Sequence, residues 1–250
     1  MSEGKPVIFV GPSLDWKEVA ERFDAHICPP AAQGDLLSAA LNFKPSIIGL
    51  IDGLFGAQPA VRHREIQAAL SLGIPVHGAA SMGALRAAEL HDQGMVGHGL
   101  ITRWYRLKPG APDDAVAVAH MPAELGAGPL STSLIDLRLT FKAARRRGLV
   151  TRETELHLSK VASTLPYADR GLPAVLDRAK ADINTLPPKR DFDAVMVDQK
   201  RDDARAMVDW IAENPAPPPP TKDAQFSMTG AFWMDLKDSG FSLDDIQCLC

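Results

Sequence analysis

Cysteine is scarce in this sequence: Cys28, Cys248 and Cys250 are the only three among 250 residues. That is too few for a disulfide framework, and they are read as free thiols. Long apolar runs are missing as well. No stretch approaches the ~20 residues that cross a bilayer, and Val7-Ile8-Phe9-Val10 follows the first residues with no basic segment leading into a longer apolar one, so no membrane or export signal is expected and a cytoplasmic location is. Nor is there an excess of positive charge. Lys+Arg total 27 against Asp+Glu 31, and the densest basic block is Arg145-Arg146-Arg147, which gives nucleic acid no surface to bind. Several signature motifs are also absent. Without G-x-x-x-x-G-K-[ST], or G-x-G-x-x-G after the first strand, nucleotide binding has no support. Without H-E-x-x-H or paired C-x-x-C, and with only a terminal C-x-C, no metal is expected, and no other cofactor.

Short β-branched runs are present at Val7–Val10, His26–Cys28, Ile47–Ile51 and Pro75–Ala80. They alternate with segments of helical spacing at Trp16–Phe23, Leu36–Phe43 and Val61–Leu70. Strands apolar on both faces and separated by helices predict an α/β fold with a parallel sheet over residues 1 to about 105. Gly73 is placed to end the third helix. From about Asp113 onward the amphipathic segments Leu130–Arg146, Arg152–Leu165 and Asp191–Glu213 predict a mainly helical C-terminal half.

The domain reading is a core over 1–145, a helical extension over 146–213 packed on it, a linker over 214–222 and a docking tail over 223–250. The linker holds Pro215 and Pro217–Pro220, which favour extended polyproline over helix or central strand. The tail carries Phe226, Phe232, Trp233, Met234, Phe241, Leu243 and Ile246. It is too apolar to float and too short to fold alone, so it docks on the chain's own body or on a partner.

Small, polar and glycine residues cluster after each predicted strand: Gly11-Pro12-Ser13, Pro29 to Asp35, Asp52-Gly53 and Ser81-Met82-Gly83. The carboxyl ends of parallel strands share one rim, where such folds bind ligands. Ser81 stands between a strand and a helix, where its hydroxyl has two readings. It caps the helix, or it is a nucleophile on a tight turn with backbone N–H groups nearby to hold an oxyanion. His63, Arg64, Glu65, His77 and Asp52 are the titratable groups a nucleophile could draw on, although residues 63–65 also fit a solvated helix face and His77 fits a satisfied sheet position. Arg86 and Glu89 are spaced as an i, i+3 pair.

Taken together, Val10 to Leu14, Pro29 to Asp35, Ile51-Asp52-Gly53, His63-Arg64-Glu65-Ile66 and above all Gly78 to Leu90 resemble the TfuA-like family, with weaker likeness fading near residue 145. The resemblance implies an accessory protein to a YcaO-type ATP-dependent enzyme that places sulfur in a peptide backbone amide, as in the making of peptide natural products. It further implies that the chain hydrolyses the thiocarboxylated end of a ubiquitin-like sulfur carrier and helps YcaO hold its peptide substrate; the alternative is a non-catalytic scaffold that recruits carrier and peptide. A serine–lysine pair is attributed to the family. Ser81 matches the serine, but Arg64 stands at the lysine's place. Arginine, with a pKa above ~12, is a poor general base, which leaves Arg64 to hold an anion and His63 to act as base. Ser13, Gln33, Asp35, Asp52, Met82, Gly83 and Arg86 complete the expected substrate, oxyanion or partner contacts.

Overall fold

In the computed structural model, residues 4–56, 58–122, 125, 128–183, 185–215, 217–220, 226–242 and 244–245 are described. Leu243, Ile246, Cys248, Cys250 and part of the linker lie outside them. The chain divides into two units: residues 1–109 with 203–250, and residues 110–202.

The first unit is built on five parallel strands: β1 (Val7–Phe9), β2 (His26–Cys28), β3 (Ile48–Leu50), β4 (Val76–Gly78) and β5 (Val96–Gly97). Their spatial order is β2-β1-β3-β4-β5. Val7 pairs with His26 on one side and Ile48 on the other, Ile48 pairs with Val76, and His77 with Val96. Between them run α1 (Trp16–Ala20), α2 (Asp35–Phe43), α3 (His63–Ser71), α4 (Met82–Glu89) and α5 (Gly99–Leu107). The parallel sheet under an α/β fold is the architecture expected from the sequence. The two-residue β5 was not expected; it is too short to leave a run in the sequence.

Period-two alternation sends Val7, Phe9, Ile48, Leu50 and Val76 to one face, where they meet Leu36, Ala39 and Ala40 of α2, Ile66, Ala69 and Leu70 of α3, and Met82 and Ala87 of α4. Ile8, Val10, Ile47 and Ile51 point the other way, onto Val19 of α1 and Ala204, Met207, Val208 and Ile211 near the end of the chain. Burial on both faces is what makes the strands read as continuous apolar runs. Gly73, at φ +80°, follows the last turn of α3 and donates to Leu70 O at 3.0 Å, the left-handed termination expected of it.

The second unit is helical: α6 (Leu134–Arg146), α7 (Arg152–Thr164), α8 (Leu172–Ala179) and α9 (Lys189–Asp193). The amphipathic stretch expected to run from Asp191 to Glu213 is broken: α9 stops at Asp193 and α10 (Gln199–Glu213) starts afresh. The break is held by side chains of α6. Asp136 accepts the N–H groups of Gln199 (2.8 Å) and Lys200 (3.3 Å), and Thr140 Oγ1 accepts that of Val197 (3.0 Å). Burial pushes the Asp136 carboxyl up to about 6 against the pull of Ser133 and Lys200.

In the first unit, α11 (Gly230–Asp238) lies on α2 and α3. Phe232 and Leu236 are fully buried against Leu37 and Ala68, with Phe226, Trp233 and Phe241 around them. Two such side chains contribute roughly 1.5–3 kcal/mol each.

Candidate functional site

The order β2-β1-β3-β4-β5 changes direction between β1 and β3, the point where open α/β sheets form a ligand crevice. Here the crevice is filled by the protein itself. Beyond the end of β1 the chain turns aside at Gly11, and the segments that continue β2 and β3 bridge over it: Ala31 pairs with Gly53, Ala31 N–H donates to Asp52 O (3.0 Å), and Leu54 N–H donates to Ala31 O (2.9 Å). The Asp52 carboxylate, 1% exposed, accepts the N–H groups of Gly11 (2.9 Å) and Ser13 (3.0 Å) and the Ser13 hydroxyl (2.6 Å). Amides that would otherwise face an anion are saturated by this side chain.

A second buried carboxylate closes the neighbouring helix start. Glu65, expected on a solvated face, is 0% exposed. It accepts Gly34 N–H at the start of α2 (2.8 Å) and Arg62 N–H at the start of α3 (2.9 Å). Burial drives its pKa up to about 7, although those backbone bonds pull downward. A carboxyl that accepts from both helix starts joins them, which its position in His63-Arg64-Glu65 gives no means of seeing. Cys28, on the same rim, stays a thiol: burial raises its pKa and Asp35 adds to the rise.

The start of α4 is different. Ser81 holds the N-cap position, yet its side chain makes no capping bond, so the capping role is not what the hydroxyl does. Ser81 is 8% exposed and its Oγ has no hydrogen-bond partner among the described residues. The turn before it is strained. Ala80 has φ +65°, and Ser81 N–H donates to Ala79 O at 2.8 Å, which makes Ala80 the centre of a γ-turn of the rare positive-φ kind. What holds the turn is close packing of glycines. A Cβ on Gly83 would lie 1.7 Å from Leu50 O, and one on Gly78 would lie 2.2 Å from Gly83 O. Gly83 N–H is used by Ile51 O at 3.2 Å, so Met82 is left as the residue after Ser81 whose N–H has no acceptor among the described residues. Met82's side chain lies against Gly53: a Cβ there would sit 2.8 Å from its Cγ.

The remaining expected site residues have partners of their own. His63 Nε2 lies 2.8 Å from Glu89 Oε2, which also accepts Arg86 Nη1 at 2.7 Å, while Arg86 Nε donates to Val61 O at 3.0 Å. Burial alone would raise the Glu89 carboxyl, but His63 and Arg86 together bring it below its ordinary value. Glu89 ends α4, eight residues and about 12 Å along the helix axis from Ser81. Arg64 donates to Ser227 O at 2.8 Å. Gln33 Nε2 donates to Asp235 O (2.9 Å) and its Oε1 accepts from Arg62 Nε (3.0 Å). Asp35 accepts Ala32 N–H within its own turn at 2.8 Å. The fold thus brings Ser13 to Asp52, sets Ser81 and Met82 at the start of α4, and gives Gln33 and Arg64 to the C-terminal segment. Arg62, which anchors both Gln33 and Asp235, carried no signal in the sequence, nor did His98, whose Nε2 lies 2.9 Å from Nδ1 of the buried His77. The Ala-Ala-Ser-Met-Gly run did carry one, since only small residues permit so tight a turn.

Residues 52–171 match the family model described as TfuA-like protein. The match opens at Asp52 and takes in α3 and α4 with Ser81; the loops of Ser13, Gln33 and Asp35, and the C-terminal segment, fall outside it. No curated protein matches the chain.

Proposed function

The chain belongs to the TfuA-like family, and from that premise we propose that it is the accessory protein of a YcaO-type enzyme in peptide backbone thioamidation, releasing sulfur from a thiocarboxylated, ubiquitin-like carrier at Ser81 and aiding YcaO's hold on its peptide. The observation that carries this reading is the Ser81 hydroxyl. It makes no hydrogen bond among the described residues, it is not one of their buried unpaired atoms and so stays open to solvent, and it stands on a strained turn, which leaves it free to meet a substrate. In the proposed step Ser81 Oγ bonds to the thiocarboxylate carbon, the carbon–sulfur bond breaks, and the hydroxyl proton leaves with sulfur as hydrosulfide. Water then cleaves the seryl ester to a carboxylate. The leaving sulfur takes the proton, so a strong dedicated base is not required, and the Met82 N–H is the donor available to the oxyanion.

A second reading, a scaffold that assembles YcaO, carrier and peptide without chemistry of its own, is favoured by the engagement of His63 with Glu89 and of Arg64 with Ser227. Sulfide release from a thiocarboxylated carrier separates the two. Release by the native protein and loss of it in Ser81→Ala uphold the catalytic reading. No release by native protein, with gain in Arg64→Lys, assigns it to the scaffold.

A further inference from the structure

Ser81 is 8% exposed on a tight turn, so a macromolecular substrate gives it only a chain end, and the body of that substrate rests elsewhere on the protein. The neighbouring helix offers a place. β5 pairs with β4 in the register Gly78 to Gly97, so α5, which follows β5, starts on the same rim as α4, whose N-cap is Ser81. The two helices meet over Gly97, where a Cβ would lie 2.2 Å from Thr102 Cγ2 and 3.2 Å from Ala87 Cβ.

One face of α5 holds it to the body. Ile101, Thr102 and Tyr105 are buried, and the buried Asp203 carboxylate accepts the N–H groups of Leu100 (3.0 Å) and Ile101 (2.8 Å). The opposite face takes no part in this. Leu100, Trp104 and Leu107 line it at i, i+4 and i+7; Leu100 is 44% and Leu107 82% exposed, and Trp104 is half-buried. An apolar stripe left in water on a helix already anchored by its other face marks an interaction surface. Its charge is of one sign. Arg103, Arg106 and Lys108 flank the stripe, and no Asp or Glu occurs from Gly99 to Lys108. Arg106 Nη2 lies 2.8 Å from His91 Nε2, which is itself 3.7 Å from the Asp92 carboxylate. Lys108 Nζ stands 6.0 Å from the Trp104 ring, and Arg103 has no partner among the described residues.

We infer that this face of α5 is where the sulfur carrier docks its folded body, through an apolar patch ringed by carboxylates, while its C-terminal end reaches Ser81. The inference rests on the carrier reading given above and adds to it the surface that selects the carrier. Charge complementarity sets the partner's sign. A basic face attracts an acidic one and turns away a second copy presenting the same face, where like charges would meet. The apolar side chains, spread over about 10 Å of helix axis, supply affinity, and the cations around them supply on-rate and salt dependence.

The test uses the full-length protein and, as probe, fluorescently labelled carrier with an ordinary carboxylate end, so that binding is read without turnover. Arg103→Glu combined with Leu107→Glu is expected to weaken binding at least about tenfold. Raising salt from about 50 to about 300 mM should weaken native binding and leave the residual binding of the variant nearly flat. With thiocarboxylated carrier the variant should show a raised KM at unchanged kcat, while a short thiocarboxylated peptide of the carrier's last residues, which has no body to dock, is hydrolysed at the native rate. Equal carrier binding by native and variant protein overturns the inference, as does a carrier that native protein does not bind. If the double substitution unfolds, Arg103→Glu by itself decides, with an expected weakening of about threefold. Binding of native protein to phosphatidylglycerol vesicles that is lost in the variant assigns the face to a lipid surface and overturns the inference too. Native protein that binds the carrier through α5 yet releases no sulfide counts against the Ser81 chemistry and leaves the docking surface standing.

Discussion

Two helix starts on the same rim are treated in opposite ways. At α2, Glu65 takes the Gly34 N–H and Gln33 is engaged with α11. At α4, the Ser81 hydroxyl and the Met82 N–H meet no acceptor among the described residues, on a turn that includes a non-glycine residue at φ +65°. The first arrangement is what stability alone selects, since buried donors are paired. In the second the strain lies in the backbone at Ala80, where close packing of Gly78 and Gly83 against the strands holds the turn.

The largest effect expected is at the α4 start. Ser81→Ala should lower sulfide release from a thiocarboxylated carrier by at least about 1,000-fold, the scale of losing a nucleophile, while a thermal melt moves little because no capping bond is lost. A melt that falls as for a lost cap, about 1 kcal/mol, would make the two starts alike after all. Next comes the packing that holds the turn. Gly83→Ala drives a methyl into Leu50 O and should destabilise by about 3 kcal/mol, read from chemical denaturation. Glu65→Gln at the closed start leaves one acceptor where two oxygens serve, at a cost of about 1–3 kcal/mol.

That variant also carries a pH signature. Glu65 has its folded pKa raised to about 7 above an unfolded value near 4.3, so the folded state holds the extra proton and stability declines as pH rises between them. The decline should vanish in Glu65→Gln. The His77–His98 pair acts in the other direction. Burial lowers His77 to about 3, helped by His98, and lowers His98 to about 4. The unfolded chain binds protons that the folded state refuses, so the stability of these groups is complete above about 6.5 and is lost as pH falls, by at most about 1.4 kcal/mol per pH unit for each ring. Replacing His98 with Asn should flatten that limb, as followed by urea unfolding at several pH values. The smallest effect is at the exposed tie. Arg62→Ala removes an ion pair at 3.5 Å and should change stability by about 0.5 kcal/mol or less.

Much of this was legible in the sequence. The strands from Val7, His26, Ile48 and Val76 announced themselves because both their faces are buried. The gathering of Ser13, Asp52 and Ser81 on one rim followed from parallel strands, and the tight turn at Ala79-Ala80-Ser81 from its small residues. The break before α10 was not legible, because the groups that terminate the chain's hydrogen bonding there, Asp136 and Thr140, lie some sixty residues away. Glu65 read as surface because charge is normally solvated, and only its placement between two helix starts makes burial tolerable.

The sequence by itself determined the alternation of strand and helix, the family, and the serine at the start of α4, all of which rest on local pattern. Tertiary structure alone decided that Asp52 fills the crevice at β1 and β3, that Glu65 joins α2 to α3, that His63 pairs with Glu89 and Arg64 with Ser227, and that the C-terminal helix takes the α2–α3 groove. Each of these is a pairing of polar or apolar groups distant along the chain, and such pairings are settled by where the backbone brings the groups together, which no local spacing encodes.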